Sequence, residues 1–246
     1  GKVMTAVNGP DCIVSLREAR IVIDRLLQWK GFPAGRRPAL TEAGLYSASR
    51  GLSGFERLLD SIDVLKIGIE RHSTISGDET DLCLDAHGKH AWAVAEEVSD
   101  LLTEMDRRHG KGCVKVVNLV AAEEFAVVGP VIQKHGLDAH IEISRSGTAV
   151  ARVVGPSACQ ENELLRICHH GIPTDHELWF ELFDASNAAQ APDTKLSRLH
   201  TGPITLAEDG TLVGAENGEE DHDMDISLLT EEFIAEPVMK KGKDEC

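Results

Sequence analysis

The chain has 246 residues, 42% of them hydrophobic and 27% charged, with a formal net charge of −16. That balance is globular rather than disordered. Its acidity repels polyanions, so neither a nucleic acid nor an anionic membrane surface is expected as a partner.

Aromatic residues make up only 4% of the chain, which predicts an aliphatic core of helices on a sheet. No apolar run approaches the roughly 20 residues that span a bilayer, and no signal-peptide pattern opens the sequence. The six cysteines (Cys12, Cys83, Cys113, Cys159, Cys168 and Cys246) form no C-x-x-C pair. Such spacing reads as reduced, mostly buried thiols, and the three features together predict a cytoplasmic protein.

In chain order, residues 3–7 read as a short strand. Ile13, Leu16, Ile23 and Leu27 lie on one face of a helix over 12–30, stopped by Gly31 and Pro33. Ser53-Gly54-Phe55-Glu56 has the form of a capping box, and Phe55, Leu58, Leu59 and Ile62 form the stripe of a short helix. Residues 64–69 and 81–84 read as strands. The clearest helix follows from Ala91 to His109-Gly110, with Val94, Val98, Leu101 and Met105 expected inward. Residues 114–120 read as a strand, then a helix starts at Ala121 with an interruption at Gly129-Pro130.

Residues 139–144 form another predicted strand, whereas 149–154 fit strand or helix. A helix is expected over 161–168. Residues 177–183 read as a strand, although a helix fits nearly as well. Residues 204–213 form a hairpin about Glu208-Asp209-Gly210. The acidic run from Glu216 to Asp225 reads as a solvated loop. No repeat or linker divides the chain, so residues 1–246 are expected to form a single α/β domain with an irregular acidic segment at 214–246. Alternation of strands and helices predicts a parallel (β/α) barrel, complete or incomplete, with an open doubly wound sheet as the alternative. No Gly-x-Gly-x-x-Gly follows the first strand and no P-loop is present.

Three sets of residues could carry chemistry. Asp85-Ala86-His87-Gly88-Lys89-His90 stands at the end of a predicted strand, where α/β folds place their sites; Asp85 there either holds a cation or caps the next helix. Cys168-His169-His170-Gly171, followed by Asp175-His176-Glu177, is dense in groups suited to proton transfer or a transition metal. Lys66 and Glu142 each interrupt an apolar run, and a buried charge needs a partner or a pocket. Arg145-Ser146-Gly147-Thr148 could offer backbone N–H groups to an anion.

In their order, several segments resemble the barrel domain of the enolase superfamily, in its mandelate racemase and sugar-acid dehydratase branch. These are Trp29-Lys30-Gly31-Phe32-Pro33, Leu65-Lys66-Ile67-Gly68, Leu84-Asp85-Ala86-His87-Gly88, residues 141–148 and His169-His170-Gly171. The resemblance implies a lyase or isomerase that abstracts a proton next to the carboxylate of a small hydroxy or sugar acid on Mg²⁺. Asp85 with Glu123 or Glu124 would hold the metal, Lys66 and His170 would be bases on opposite faces, and Glu142 would orient the histidine. Asp85, Lys66 and His170 should then open into one pocket.

Two rivals stand beside this reading. One is a hydrolase holding Zn²⁺ or Mn²⁺ at His169, His170, Asp175 and His176. The other is a non-catalytic α/β binding or assembly subunit with a large apolar patch. A homo-oligomer is compatible with each.

Overall fold

The computed structural model describes residues 10–144, 146–158 and 162–189, and the backbone of 205–206 and 212–213. The chain divides into two compact units, Gly1–Gln190 and Ala191–Cys246. In the second, strands β8 (Thr205–Leu206) and β9 (Leu212–Val213) pair antiparallel, as the expected hairpin requires. The expected strand at 3–7 and the acidic run at 216–225 lie outside the described residues. Among the described residues no helix is long and apolar enough to cross a membrane.

The first unit opens with β1 (Cys12–Val14) and helix α1 (Leu16–Trp29). Ser15 and Glu18 form the capping box there, each side chain closing on the other residue's backbone N–H. The stripe Ala19, Val22, Ile23, Leu26 and Leu27 is buried at helical spacing. Helix α2 (Arg37–Ser49) carries a proline in its first turn, where no backbone donor is lost.

Helix α3 (Leu58–Gly68) corrects the expected strand at 64–69. Leu58, Ser61, Ile62, Leu65 and Gly68 are buried at steps of three and four, so the apolar run has helical phase. Gly68 packs so closely on the next layer that a Cβ would lie 2.9 Å from the Gly88 carbonyl oxygen. The capping box expected at Ser53 does not form; no side chain caps α3.

The sheet contains β2 (Thr74–Gly77), β3 (Asp81–Asp85), β4 (Cys113–Val117), β5 (Leu137–Ile143) and β6 (Ala149–Pro156). Their order is β2-β3-β4-β6-β5. Only β3 and β4 are parallel, joined by helix α4 (Ala91–His109); the other pairs are antiparallel. The sheet is therefore mixed and open, and the barrel expectation fails. Residues 149–154 are the reason: they form a strand that returns directly on β5 through a tight turn in which Ser144 N–H donates to Thr148 O at 2.8 Å. Parallel strands need a crossover, and only α4 supplies one. The neighbourhood expected for residues near Leu82 and Val116 is present, but β6 separates Val116 from Ile141 and Val64 is helical.

One sheet face is apolar and packs under α4 and α5 (Val128–Gln133) through Leu84, Val114, Val116, Ala149 and Ala151. The opposite face alternates with it and exposes Lys115, Arg152, His140 and Glu142, as an antiparallel sheet can. A 3₁₀ helix (Ala122–Val127) leads into α5, so Gly129-Pro130 falls inside the first turn of a new helix rather than breaking one. Helix α6 (Glu163–His170), strand β7 (Ile172–Thr174) and helix α7 (His176–Ala188) follow. β7 pairs antiparallel with β1, and residues 177–183 are helical.

Helix α4 ends as its sequence predicts, at Gly110 in the left-handed conformation (φ 67°). Leu102 is fully buried, whereas Leu101, expected inward, sits at the helix margin and lines a cavity. Leu102→Ala is expected to cost about 2–5 kcal/mol in chemical denaturation, and Leu101→Ala less than half as much. Equal losses would show that the buried face of α4 has been misassigned.

Candidate functional site at the strand-end rim

β3, β4 and β5 run in the same sense, so their carboxyl ends share one rim. The loops after β3 and β4 are laced together there. Ala86 N–H donates to Val117 O at 2.9 Å, Gly88 N–H to Asn118 O at 2.8 Å, and Val120 N–H to Lys89 O at 3.0 Å. Among the described residues, three other than glycine have positive φ: His87 (49°), Asn118 (53°) and Ala121 (52°). All three lie in these two loops. Such backbone costs energy and persists only where its surroundings over-determine it, which is common at ligand sites.

Asp85 ends β3 and is held on three sides. Asn118 Nδ2 donates to its two oxygens at 3.0 and 2.9 Å, and His87 N–H donates to Oδ1 at 2.8 Å. The Asn118 amide, then the His87 N–H, hold its carboxyl below the usual carboxylate range, so it stays anionic. The His87 ring leans over the same carboxylate, with Nδ1 3.6 Å from Oδ1. Its other nitrogen, Nε2, lies 3.0 Å from the hydroxyl of Thr74, which faces Asp85 across the β2–β3 pair. Asp85, His87 and Thr74 thus form an acid–imidazole–hydroxyl line on an exposed rim.

Behind the rim, Glu124 has no exposed surface. It accepts from Ser53 N–H and Trp92 Nε1, each at 2.8 Å, and from the hydroxyls of Ser53 and Ser47. Burial raises its pKa, but these donors outweigh burial and hold it below the ordinary glutamate value. His90, also buried, caps α4 by accepting from Trp92 N–H through Nδ1 at 3.1 Å. Burial pushes His90 down to about 4, against the opposing pull of the Glu124 charge.

Two cavities flank these loops. One, of about 350 Å³, is lined by Arg36, Arg71, His72, Lys89, Glu97 and Asp100, with Ser73, Ile75 and Leu101. The other, of about 450 Å³, lies among Leu119, Ala121, Ala122, Glu123, Ile143, Ser144 and Gly147.

The other residues singled out in the sequence are dispersed. Lys66 lies in the last turn of α3, donates to Gly31 O at 3.0 Å and rests over the Phe32 ring. Glu142 faces His140 at 3.2 Å on the open sheet face. Glu123 is exposed on the 3₁₀ helix, while Glu124 is consumed by its buried donors. His169 and His170 end α6 with ring centroids 6.3 Å apart. Asp175 caps α7 by accepting from Leu178 N–H at 2.9 Å, and the His176 ring packs on Phe180. Neither of these two cavities is lined by Lys66, Asp85 or His170.

These placements overturn the metal-based expectations. Among the described residues no three His, Cys, Asp or Glu side chains are grouped so as to hold a metal ion. The Mg²⁺ set of Asp85, Glu123 and Glu124 fails because two of its members are fixed by other partners. The Zn²⁺ or Mn²⁺ set of His169, His170, Asp175 and His176 fails because a helix cap and a ring contact claim two members. With the barrel absent, the enolase-superfamily resemblance and its lyase or isomerase reading fall together, and the rival hydrolase is left without its metal cluster among the described residues. The assembly-subunit reading calls for a large apolar surface patch; the exposed large apolar side chains among the described residues include Ile13, Trp29, Ile67 and Val154.

Solved structures similar to the chain include dehydrogenases. Malate dehydrogenase from Entamoeba histolytica matches at 13% identity with a TM-score of 0.43, over 71% of this chain and 62% of that one. Malate dehydrogenase from Pyrococcus horikoshii matches at 13% and 0.43 over 74% and 68%, and sulfolactate dehydrogenase from Methanocaldococcus jannaschii at 12% and 0.42 over 78% and 71%. The chain thus spans less than two thirds of the first of these, and likeness at this level assigns no activity to it. No family model matches the chain, and no curated protein does.

The buried His90 makes stability depend on pH. Its folded pKa, about 4, lies below the unfolded value of about 6.5, so its contribution is complete above pH 6.5 and is lost as pH falls toward 4. The expected loss across that window is roughly 2–4 kcal/mol, and His90→Asn, which keeps a capping acceptor, should flatten it. An unchanged pH profile in that variant would place the acid sensitivity elsewhere.

Proposed function

We propose that the rim outside β3 and β4 binds a small molecule carrying a hydroxyl or carbonyl oxygen, and that His87 exchanges a proton with that oxygen. The observation that supports this reading is the Asp85–His87–Thr74 line in loops held in left-handed backbone. Imidazole titrates near neutrality and serves either as base or as acid. Asp85, kept anionic by Asn118, would orient the ring through Nδ1 and stabilise its protonated form. The 3.6 Å separation is of the kind that tightens when a ligand is seated. The Thr74 hydroxyl now occupies the direction in which Nε2 would meet the ligand oxygen.

The test starts from ring resonances of His87 in NMR titrations with small hydroxy and keto compounds, each with and without a carboxylate. A true ligand should shift the His87 ring in wild type and turn over. His87→Gln should then lower kcat by about 10²–10⁴ with little change in KM, and Asp85→Asn should lower it less. Turnover that survives His87→Gln unaltered would overturn the assignment.

A further inference from the structure

The cavity of about 350 Å³ lies on the other side of the β2 edge from Thr74. Side chains alternate along a strand, and Ile75, which lines this cavity, pairs with the buried Leu84 on the helix-covered face. One wall is α4, through Glu97 and Asp100; the opposite wall is the segment entering β2, through Arg71 and His72. Arg36, just before α2, closes the end.

The charges in this cleft do not cancel. Lys89 is 3% exposed, and its Nζ donates to Glu97 Oε1 at 2.8 Å and to Ser73 Oγ at 2.9 Å. The Ser73 hydroxyl in turn donates a hydrogen bond to Glu97 Oε2 at 2.6 Å. This ammonium and carboxylate therefore neutralise each other and form a rigid wall. Asp100 is mostly exposed and faces His135 at 4.0 Å.

The guanidinium groups of Arg36 and Arg71 remain, set against the one carboxylate of Asp100. Arg71 spends one nitrogen on the His87 carbonyl at 2.7 Å, which fixes its position and leaves its other donors free. Neither arginine is in an ion pair among the described residues, whereas Lys30, Arg37, Arg107, Arg108, Lys134 and Arg166 each meet a carboxylate. Arg17, Arg20 and Arg152 are likewise outside any ion pair among the described residues, but Arg36 and Arg71 line one cleft together.

We propose that this cleft binds a small oxyanion, a carboxylate or phosphate group, between Arg36 and Arg71, with the apolar side chains of Ile75 and Leu101 against the rest of the ligand. Guanidinium forks match the paired oxygens of both groups. The cleft is distinct from the His87 line but meets it at the hydrogen bond from Arg71 to the His87 carbonyl.

Thermal-shift titrations of the full chain with inorganic phosphate and with succinate, against sodium chloride at matched ionic strength, test it. Phosphate, succinate or both should raise Tm beyond the chloride control, since binding to the folded state alone is stabilising. Phosphate alone would indicate a phosphorylated ligand, succinate alone a carboxylate. Arg36→Glu should weaken the response about tenfold or more, and Arg71→Gln similarly, while Lys111→Gln leaves it intact. The Arg36 side chain is exposed, so that variant tests binding without endangering the fold. No gain over chloride, or an Arg36→Glu response equal to wild type, would overturn the proposal.

Discussion

A carboxylate with no exposed surface must find its hydrogen bonds inside the protein, and Glu124 draws them from three segments. Ser47 comes from α2, Ser53 from the turn after it, and Trp92 from the first turn of α4. Leaving such a charge unpaired would cost several kcal/mol, so these segments are tied to one point by the penalty for letting go. His90 sits beside it and stays neutral, capping the same helix whose indole binds the carboxylate. The start of α4 is thereby fixed, and with it the loop from Asp85 to His90.

That loop is where geometry and chemistry meet. α4 is the crossover that makes β3 and β4 parallel, and parallel strands deliver their carboxyl ends to the same rim. The hydrogen bonds lacing residues 86–91 to 117–120 extend the ladder past the strands themselves, which is how left-handed backbone at His87 and Asn118 is held. Asp85 receives its amide partner from one loop and its imidazole partner from the other. Without the lacing, neither partner would have a fixed position.

The one-sided sheet explains why two different surfaces flank a single edge. β2 is an edge strand whose side chains alternate between the open face and the helix-covered face. Thr74 meets His87 on one side, while the neighbouring Ser73 and Ile75 line the arginine cleft. Arg71 couples the two, its guanidinium donating to the His87 carbonyl. Gly88 holds a positive φ of 80° that an L side chain rarely adopts, and a Cβ there would also displace the Arg71 guanidinium.

Local pattern alone specified the elements whose own residues decide them. The stripe from Val94 to Met105 and the glycine after His109 define α4, and the short apolar runs define β3, β4 and β5. Asp85 at a strand end was legible for the same reason. Pairing was not, because a run such as 149–154 has one period whether it crosses over or turns back, and only contact with β5 and β4 chose. Residues 64–69 were misread because an apolar run this short fits either period. Burial of Leu65 and Gly68 on one side settled it as helix. Ser53 shows the limit most plainly. It has the form of a capping residue, yet its hydroxyl binds Glu124, 71 positions away. The true box at Ser15-Leu16-Arg17-Glu18 was present in the sequence and passed unremarked. The candidate site depends likewise on partners distant in the chain: Asn118 lies 33 residues beyond Asp85, and Thr74 reaches His87 only because β2 folds back on β3. Those distances close only when the sheet forms, so spacing along the chain could nominate Asp85 and His87 but not supply their partners.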